Sequence, residues 1–525
     1  MSLVEATGNR SRNLILAAMI FAVAMTFIDQ TIVSIAAPQI QRKLGLTSTG
    51  MQWAINAYLL SLAALFAFGG RLADTVGHTR MVVLGVILFA ASSGMCGLTP
   101  KGSLAEAWIV TFRVVQGAGG AIMFPAALAI VVQTFALRER GKALALFFGI
   151  AGGLTAIGPV LGGFLTQWTW RAIFWVNIPV ALVALVLIAV SKPQTEHRRA
   201  PMDYRGLALI VPGVALSVFG FQQSAIWGWG NPATALVIAA GAVLLVVFYF
   251  VELQTRPPLI QMSIFRIRAF LVENLVLGVS MLVFVPIFFF ASEYAQIALG
   301  KTATQAGLYL LYFFLGFVVM SQIGGRILDR RGAKRPVVIG CAMAAVGFEL
   351  WAGKVTQLNF GSQVWYVVLA GAGMGFMLSP ASTDAVNRAS TLSYGEATGI
   401  TQTVRNYAAS LGLAILGTIL VSSMRSRLVT SLLAQGVPSG RAAREAASIS
   451  QQAQGGSGSG SVASIPHFVR LDFAFATRNV LYVMAVIMAV AAVVGFLGLR
   501  PGVQEDVGGP DPDLTAEPST GTTTA

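Results

Sequence analysis

Gly69-Gly70-Arg71-Leu72-Ala73-Asp74-Thr75-Val76-Gly77-His78-Thr79-Arg80 follows one long apolar run. Gly324-Gly325-Arg326-Ile327-Leu328-Asp329-Arg330-Arg331-Gly332-Ala333-Lys334-Arg335 follows another, 255 positions later (325 − 70). The glycine pair, the first Arg, the Asp, the later Gly and the final Arg recur in register. A basic, turn-forming segment at the same place in two apolar halves predicts a duplicated membrane protein.

Composition points the same way. The 525 residues are 56% hydrophobic and 11% charged, with a mean hydropathy of +0.74, whereas a soluble domain carries about 25% charged residues. That is too little polar surface to cover a water-soluble body of this size. The formal charge of +14 would suit a nucleic-acid binder, but the positive residues fall beside apolar runs on one side of a membrane. Cys96 and Cys341 lie inside apolar runs and read as single buried thiols without a disulfide. The first apolar run is long enough to span and holds Asp29 near its middle, so no cleavable leader is expected.

Fourteen spanning helices are predicted, at roughly 13–37, 52–72, 81–98, 107–133, 141–166, 171–190, 206–222, 233–251, 270–292, 305–327, 336–352, 364–386, 398–423 and 479–499. The seventh and eighth form a pair between the repeat-bearing halves. The expected division is a six-helix unit over 1–200, an extra helix pair over 201–260, and a second six-helix unit over 261–500. That second unit contains a long outer loop over 425–478, flexible at its Gly/Ser-rich middle (455–460). The Pro-, Gly- and Thr-rich tail over 501–525 reads as disordered.

Lys and Arg set the orientation. With both termini in the cytoplasm, the inner segments hold Arg71, Arg80, Arg138, Arg140, Lys142, Lys192, Arg198, Arg199, Arg205, Arg256, Arg266, Arg268, Arg326, Arg330, Arg331, Lys334, Arg335 and Arg388. The short outer loops hold only Arg42, Lys43, Lys101, Arg171, Lys301 and Lys354. Both repeated segments then face anionic lipid on the inside. The 425–478 loop disobeys with six Arg, which long loops tolerate.

Asp29 is the first candidate site, in mid-helix within Ile28-Asp29-Gln30-Thr31-Ile32-Val33. An intramembrane acid is costly unless it faces a cavity or a partner. Desolvation favours the neutral form of an acid and a nearby cation its charged form, so a balanced site can exchange a proton for a cation. The alternative is a packing aspartate bonded to a neighbouring hydroxyl. Arg113, in Phe112-Arg113-Val114-Val115-Gln116-Gly117-Ala118-Gly119-Gly120, needs an acceptor in the fourth span. It would tune Asp29 or organise polar groups around a cavity, or else clamp helix-end carbonyls.

In the fifth span, Gly149, Gly152, Gly153 and Ala156 share one face, followed by Gly158, Pro159, Gly162 and Gly163. Small faces let helices approach closely, and Pro159 removes one ladder bond. A bend that controls access and ordinary small-residue packing are both compatible with this pattern. In the repeated segments, Asp74 and Asp329 can accept from a helix N-terminus or an Arg, so Gly70, Arg71, Asp74, Gly77 and Arg80 with Gly325, Arg326, Asp329 and Gly332 read as a latch. Further polar candidates are Glu273, Glu293 and Glu349, placed near helix ends where snorkelling is cheap, and Asp384 and Arg405, placed to pair across the twelfth and thirteenth spans. Phe288-Phe289-Phe290 and Tyr294 are candidates for lining a substrate cavity, with lipid-facing or core packing as the default reading.

Enzyme signals fail. Gly300-Lys301-Thr302 looks like a P-loop ending, but position 295 is Ala rather than Gly. His78, His197 and His467 are scattered through loops and make no metal set with the cysteines. No enzyme activity, metal or cofactor is expected.

Together these motifs resemble the major facilitator superfamily, and in particular its fourteen-helix drug:proton antiporter branch. The match runs over about 13–424 and the last span. It rests on the repeated segment, on Ile28 to Val33 leading to Pro38, on the Arg113 segment, on Gly158-Pro159, and on Trp170-Arg171-Ala172-Ile173-Phe174-Trp175-Val176-Asn177-Ile178-Pro179. The resemblance implies two six-helix bundles, two extra central helices, alternating access, and export driven by the proton gradient. It departs from the usual pattern at Thr75 and at His78-Thr79, where basic residues are common, so the first latch is either weaker than is usual or relies on Arg71 and Arg80. The implied function is a proton-coupled antiporter exporting hydrophobic small molecules, cationic ones among the candidates, from a bacterial cytoplasmic membrane. Its implied partners are substrate, protons and lipid, and it would act as a monomer. Rival readings are an exporter of one specific metabolite or lipid-like compound and a non-transporting sensor or scaffold.

Overall fold

The structure, a computed structural model, describes residues 3–135, 137–193, 203–256, 258–387, 394–455 and 466–502. Arg198, Arg199, His197, Arg388, the stretch 456–460 and the tail from 503 lie outside them. The described residues form helices and short connections, without a strand. In hydrocarbon each backbone group must be satisfied within its own segment, and runs this apolar solve that as helices.

The first half comprises α1 (Leu3–Leu44), α2 (Ser48–Val76), α3 (His78–Gly97), α4 (Ala105–Thr134), α5 (Leu137–Trp168), the short α6 (Ala172–Trp175) and α7 (Asn177–Ser191). The extra pair is α8 (Tyr204–Trp227) and α9 (Pro232–Gln254). The second half comprises α10 (Arg268–Ile297), α11 (Ala303–Arg331), α12 (Lys334–Val355), α13 (Val364–Asn387), α14 (Tyr394–Ala434), α15 (Ser439–Gly455) and α16 (His467–Gly498). Among the described residues, thirteen helices are long and apolar enough to cross a bilayer, with α6 and α7 counted as one. The 32-residue α5 supplies the fourteenth expected span.

The duplication extends into the packing. Thr47 caps α2 by accepting from Gly50 N, and Thr302, 255 positions on, caps α11 by accepting from Gln305 N. A Cβ on Gly69 would meet the Ala121 carbonyl of α4, and one on Gly324 the Phe376 carbonyl of α13. These are the same two contacts shifted by the repeat. Glycine here lets two backbones touch.

Three expectations change. The repeated segment was expected to be a turn, but α2 continues through it to Val76 and α3 restarts at His78. Only Gly77 (φ 108°) and its counterpart Gly332 (φ 76°) break the helix, in a region that favours glycine. The expected loop over 425–478 is largely helical: α14 runs on to Ala434, α15 packs Ala442 and Ala446 into the core, and α16 begins at His467. Arg427 and Arg478 there stack on Phe475. Glu273 and Glu293 do not snorkel at all, since both are fully buried along α10.

The halves meet along two seams. On the face opposite the repeated motif, α5 and α11 lock closely: Gly163 lies against Ala303 and Thr304, and Gly307 against the Pro159 carbonyl. Gln167 Nε2 donates to Thr304 Oγ1 at 2.7 Å, and Gln296 Nε2 of α10 to the Ile35 carbonyl of α1 at 3.0 Å. On the other seam, α8 lies along both α2 and α14.

Candidate functional site

The centre of the first half is a closed polar cluster. Asp29 of α1 is fully buried and Arg113 of α4 is 1% exposed. Arg113 Nη1 donates to Asp29 Oδ2 at 2.5 Å and to Gln116 Oε1 at 2.8 Å. Its Nε donates to the Ala54 carbonyl of α2 at 2.9 Å. Gln116 Nε2 donates to Asp29 Oδ1 at 3.0 Å. Each oxygen of Asp29 thus faces a donor, which is the arrangement a carboxylate needs. Arg113 Cζ lies 4.4 Å from the centroid of the Tyr58 ring, and Tyr58 in turn donates to the Thr26 carbonyl at 3.2 Å. Helices α1, α2 and α4 are therefore joined through one guanidinium, whose planar fork suits several acceptors at once.

Of these residues, sequence reasoning named Asp29 and Arg113 but not Gln116 or Tyr58. Gln116 had a readable signal, because it lies three residues after Arg113 and so shares its helix face. Tyr58 had none, since a tyrosine in an apolar run looks like packing.

Beside this cluster, α1 turns Phe27 and Gln30 towards the second half. There they line a small cleft with Met281 and Val285 of α10 and with Gln402, Arg405, Asn406 and Ala409 of α14. Arg405 Nη1 donates to Gln402 Oε1 at 3.0 Å and so points into this cleft rather than to Asp384, which is buried on α13. Glu349 is exposed on α12.

In the fifth span, Gly158 and Gly162 let α5 press against Thr31 and Ile32 of α1, while Gly163 and Pro159 meet α11. One helix face thus serves a joint within its own half, and another serves the joint between halves. Gly149 and Gly153 fall on α5, outside the residues whose surroundings are described. Phe288 stacks on Phe314 with ring centroids 5.0 Å apart, and the Tyr294 hydroxyl donates to the Val355 carbonyl at 2.6 Å. The aromatic run is packing inside the second half.

The two copies of the repeated motif differ. Arg71 Nη2 donates to the Pro258 carbonyl at 2.8 Å, and His78 Nε2 lies 3.8 Å from Asp74 Oδ1. Gly70, Arg71, Asp74 and His78 line a cavity of about 270 Å³ with Pro125, Ile260 and Gly399, among others. Gly77 marks the helix break and Arg80 is exposed. In the second copy Arg326 and Asp329 are exposed, and Gly325 has open space around it. Among the described residues no group of His, Cys, Asp and Glu could hold a metal ion.

Comparison with known proteins places this architecture. The family model of the Major Facilitator Superfamily matches residues 19–413. The tetracenomycin C resistance and export protein of Streptomyces glaucescens is 32% identical over 413 residues, 78% of this chain and 76% of its own. A puromycin resistance protein of Streptomyces alboniger is 32% identical over 416 residues, 77% of this chain and 81% of its own. Among solved structures, a bacterial homologue of the human lysosomal transporter Spinster, inward-facing and unoccupied, superposes with a TM-score of 0.62 at 17% identity, covering 93% of this chain and 97% of that one. The E. coli xylose transporter XylE superposes with a TM-score of 0.57 at 10% identity, covering 94% and 98%. These two share the fold. With its many apolar helices, the chain is a multi-pass protein of the cell membrane, and it belongs to the major facilitator superfamily, a family of transporters rather than enzymes.

Proposed function

We propose that this chain is a proton-coupled antiporter that exports hydrophobic small molecules, including lipophilic cations, by alternating access. The observation that carries the reading is the buried Asp29–Arg113–Gln116 cluster on α1 and α4. A carboxylate held by a permanent cation inside a membrane bundle is poised to take up a proton when solution on one side reaches it. Protonation of Asp29 removes half of its pair with Arg113. The guanidinium then leans on Gln116, Ala54 and Tyr58, and α1 is freed to shift against α4. Because α1 also lines the cleft through Phe27 and Gln30, that shift alters the walls a substrate touches.

In this reading the repeated motif and both termini face the cytoplasm. The conformation described is closed on the outer side by α5–α11 and α1–α10, and Asp29 has given up its proton inward. The functional units are the two six-helix bundles (1–200 and 261–500) with the α8–α9 pair between them (201–260), and the monomer is the working unit. Export is supported by relatives whose names describe resistance and export, and the proton gradient is the only driving partner the reading requires.

The test uses purified protein in liposomes under an imposed pH gradient, wild type beside Asp29→Asn, with a panel of lipophilic cations and neutral drugs. Gradient-driven movement with proton counter-flow, lost in a correctly folded Asp29→Asn, is the expected result. Undiminished coupled export by that variant would remove Asp29 from the mechanism.

A further inference from the structure

The second half holds a buried acid that the mechanism above does not use. Glu293 lies one turn before the end of α10, is fully buried, and has no hydrogen-bond partner at either carboxyl oxygen among the described residues. Several of the charged and titratable groups on the helices packed against α10 are engaged elsewhere. On α1, Asp29 is held by Arg113. On α14, Arg405 bonds Gln402, and Tyr407 bonds Ser217. On α11, Tyr309 bonds Gln363. On α16, Arg470 donates to the Ala298 carbonyl, and Arg478 stacks on Phe475. Neither these groups, nor Asp472 of α16, nor Asp384 of α13 makes a hydrogen bond or ion pair with Glu293. An ionised carboxylate with neither a cation nor a donor does not persist in such surroundings, and the group keeps its proton instead.

Its position gives that proton a meaning. Three residues on, Gln296 bonds the Ile35 carbonyl of α1. This turn of α10 therefore belongs to the joint that closes the halves on each other opposite the repeated motif, together with the α5–α11 lock. The contrast with Asp29 is sharp. Both oxygens of Asp29 accept from donors, whereas Glu293 has no donor among the described residues. One conformation thus holds one buried acid in each half, the first surrounded by donors and the second without any.

We propose that Glu293 is a second proton-binding site, separate from Asp29, which holds its proton while the α1–α10 and α5–α11 joints are closed and exchanges it when they part. Resting on the alternating-access reading, this means that one cycle moves more protons per substrate than Asp29 alone carries.

The experiment uses the full chain in lipid at neutral pH and reads the infrared carbonyl band of protonated carboxyl groups. Wild type and Asp29→Asn should both show a component that is lost in Glu293→Gln and kept, shifted in frequency, in Glu293→Asp. The exchange of that component into deuterium oxide is then followed in a Gln167→Cys/Thr304→Cys variant. Those side chains meet at the outer lock, and a cleavable thiol cross-linker can join them while the native Cys96 and Cys341 stay buried. Cross-linking should slow the exchange by about an order of magnitude, and cleavage should restore it. A band indifferent to Glu293→Gln would overturn the proton site, and exchange indifferent to the cross-link would overturn its gating. Neither readout needs substrate or Asp29, so each can fail while Asp29-dependent antiport stands, or hold while it falls.

Discussion

The Thr31 hydroxyl donates to the Thr155 carbonyl at 3.0 Å, and Thr155 is the residue four before Pro159, whose missing N–H would otherwise have bonded that carbonyl. A proline inside a buried helix leaves one orphan acceptor, and here a neighbouring helix supplies the donor. Gly158 makes the approach feasible, since a Cβ there would collide with Thr31 Oγ1. Thr31 lies two residues from Asp29. The proline turn of α5 and the helix carrying the candidate proton site are therefore tied by one hydroxyl.

A double-mutant cycle tests this tie. Thr31→Val should cost about 1–3 kcal/mol, because it strands a buried carbonyl, and this would appear as a lower thermal midpoint of the purified protein. Pro159→Ala restores the backbone donor, and in that background Thr31→Val should cost under about 0.5 kcal/mol. Additive losses would show that the two positions are independent.

Arg113 gives a second cycle. Arg113→Leu leaves the Asp29 carboxylate buried without its cation, which should cost about 3–5 kcal/mol and sharply lower the yield of folded protein. Adding Asp29→Asn removes the stranded charge, so the double variant should recover most of that yield while lacking proton-driven transport. Arg113→Lys cannot reach Asp29, Gln116 and Ala54 together and should fall between wild type and Arg113→Leu in thermal stability.

Much of this site was legible before any coordinates, and the illegible part has a common cause. Asp29 and Arg113 stand out because charge inside an apolar run has no cheap explanation, and the duplicated motif gives the two-half architecture outright. Thr31, Gln116 and Gln296 are polar but uncharged, and they act through partners on other helices at sequence separations of 124, 87 and 261 positions. A single chain does not print such pairings. Glu273 and Glu293 do lie near the ends of α10, but those ends are packed inside the bundle and leave neither side chain a path to solvent. The helical turn of the repeated motif was misread because its glycines were credited with turning, when Gly69 and Gly324 serve close packing and only Gly77 and Gly332 turn.

The α5–α11 lock should be separable by one side chain. A Cβ on Gly307 would lie 2.4 Å from the Pro159 carbonyl oxygen, and backbone at that contact has no free rotamer to yield. Gly307→Leu should therefore hold these ends of the two halves apart. The measurement is cross-linking between Gln167→Cys and Thr304→Cys, which should fall several-fold in the Gly307→Leu background. An unchanged yield would mean that the joint tolerates the bulk and does not seal the face.

Asn56 carries the last prediction, which concerns the extra pair. Its side-chain amide lies 2.6 Å from that of Gln222 on α8 and accepts from Ser410 Oγ of α14 at 3.0 Å, so a single residue of α2 touches the extra pair and the second half together. Helix α8 adds its own ties to α14 through Ser217–Tyr407 and Ser224–Thr418. It is thus fastened to one helix of each half across the seam opposite α5–α11, a position from which a brace would restrict their relative movement. Asn56→Leu should cost about 1–3 kcal/mol in thermal stability by stranding Gln222 and Ser410, and Gln222→Leu should add little to it. Single-molecule distance measurements between labels on α2 and α14 should show a broader distribution in Asn56→Leu than in wild type. An equally narrow distribution would make α8 a passenger on the bundle rather than a brace.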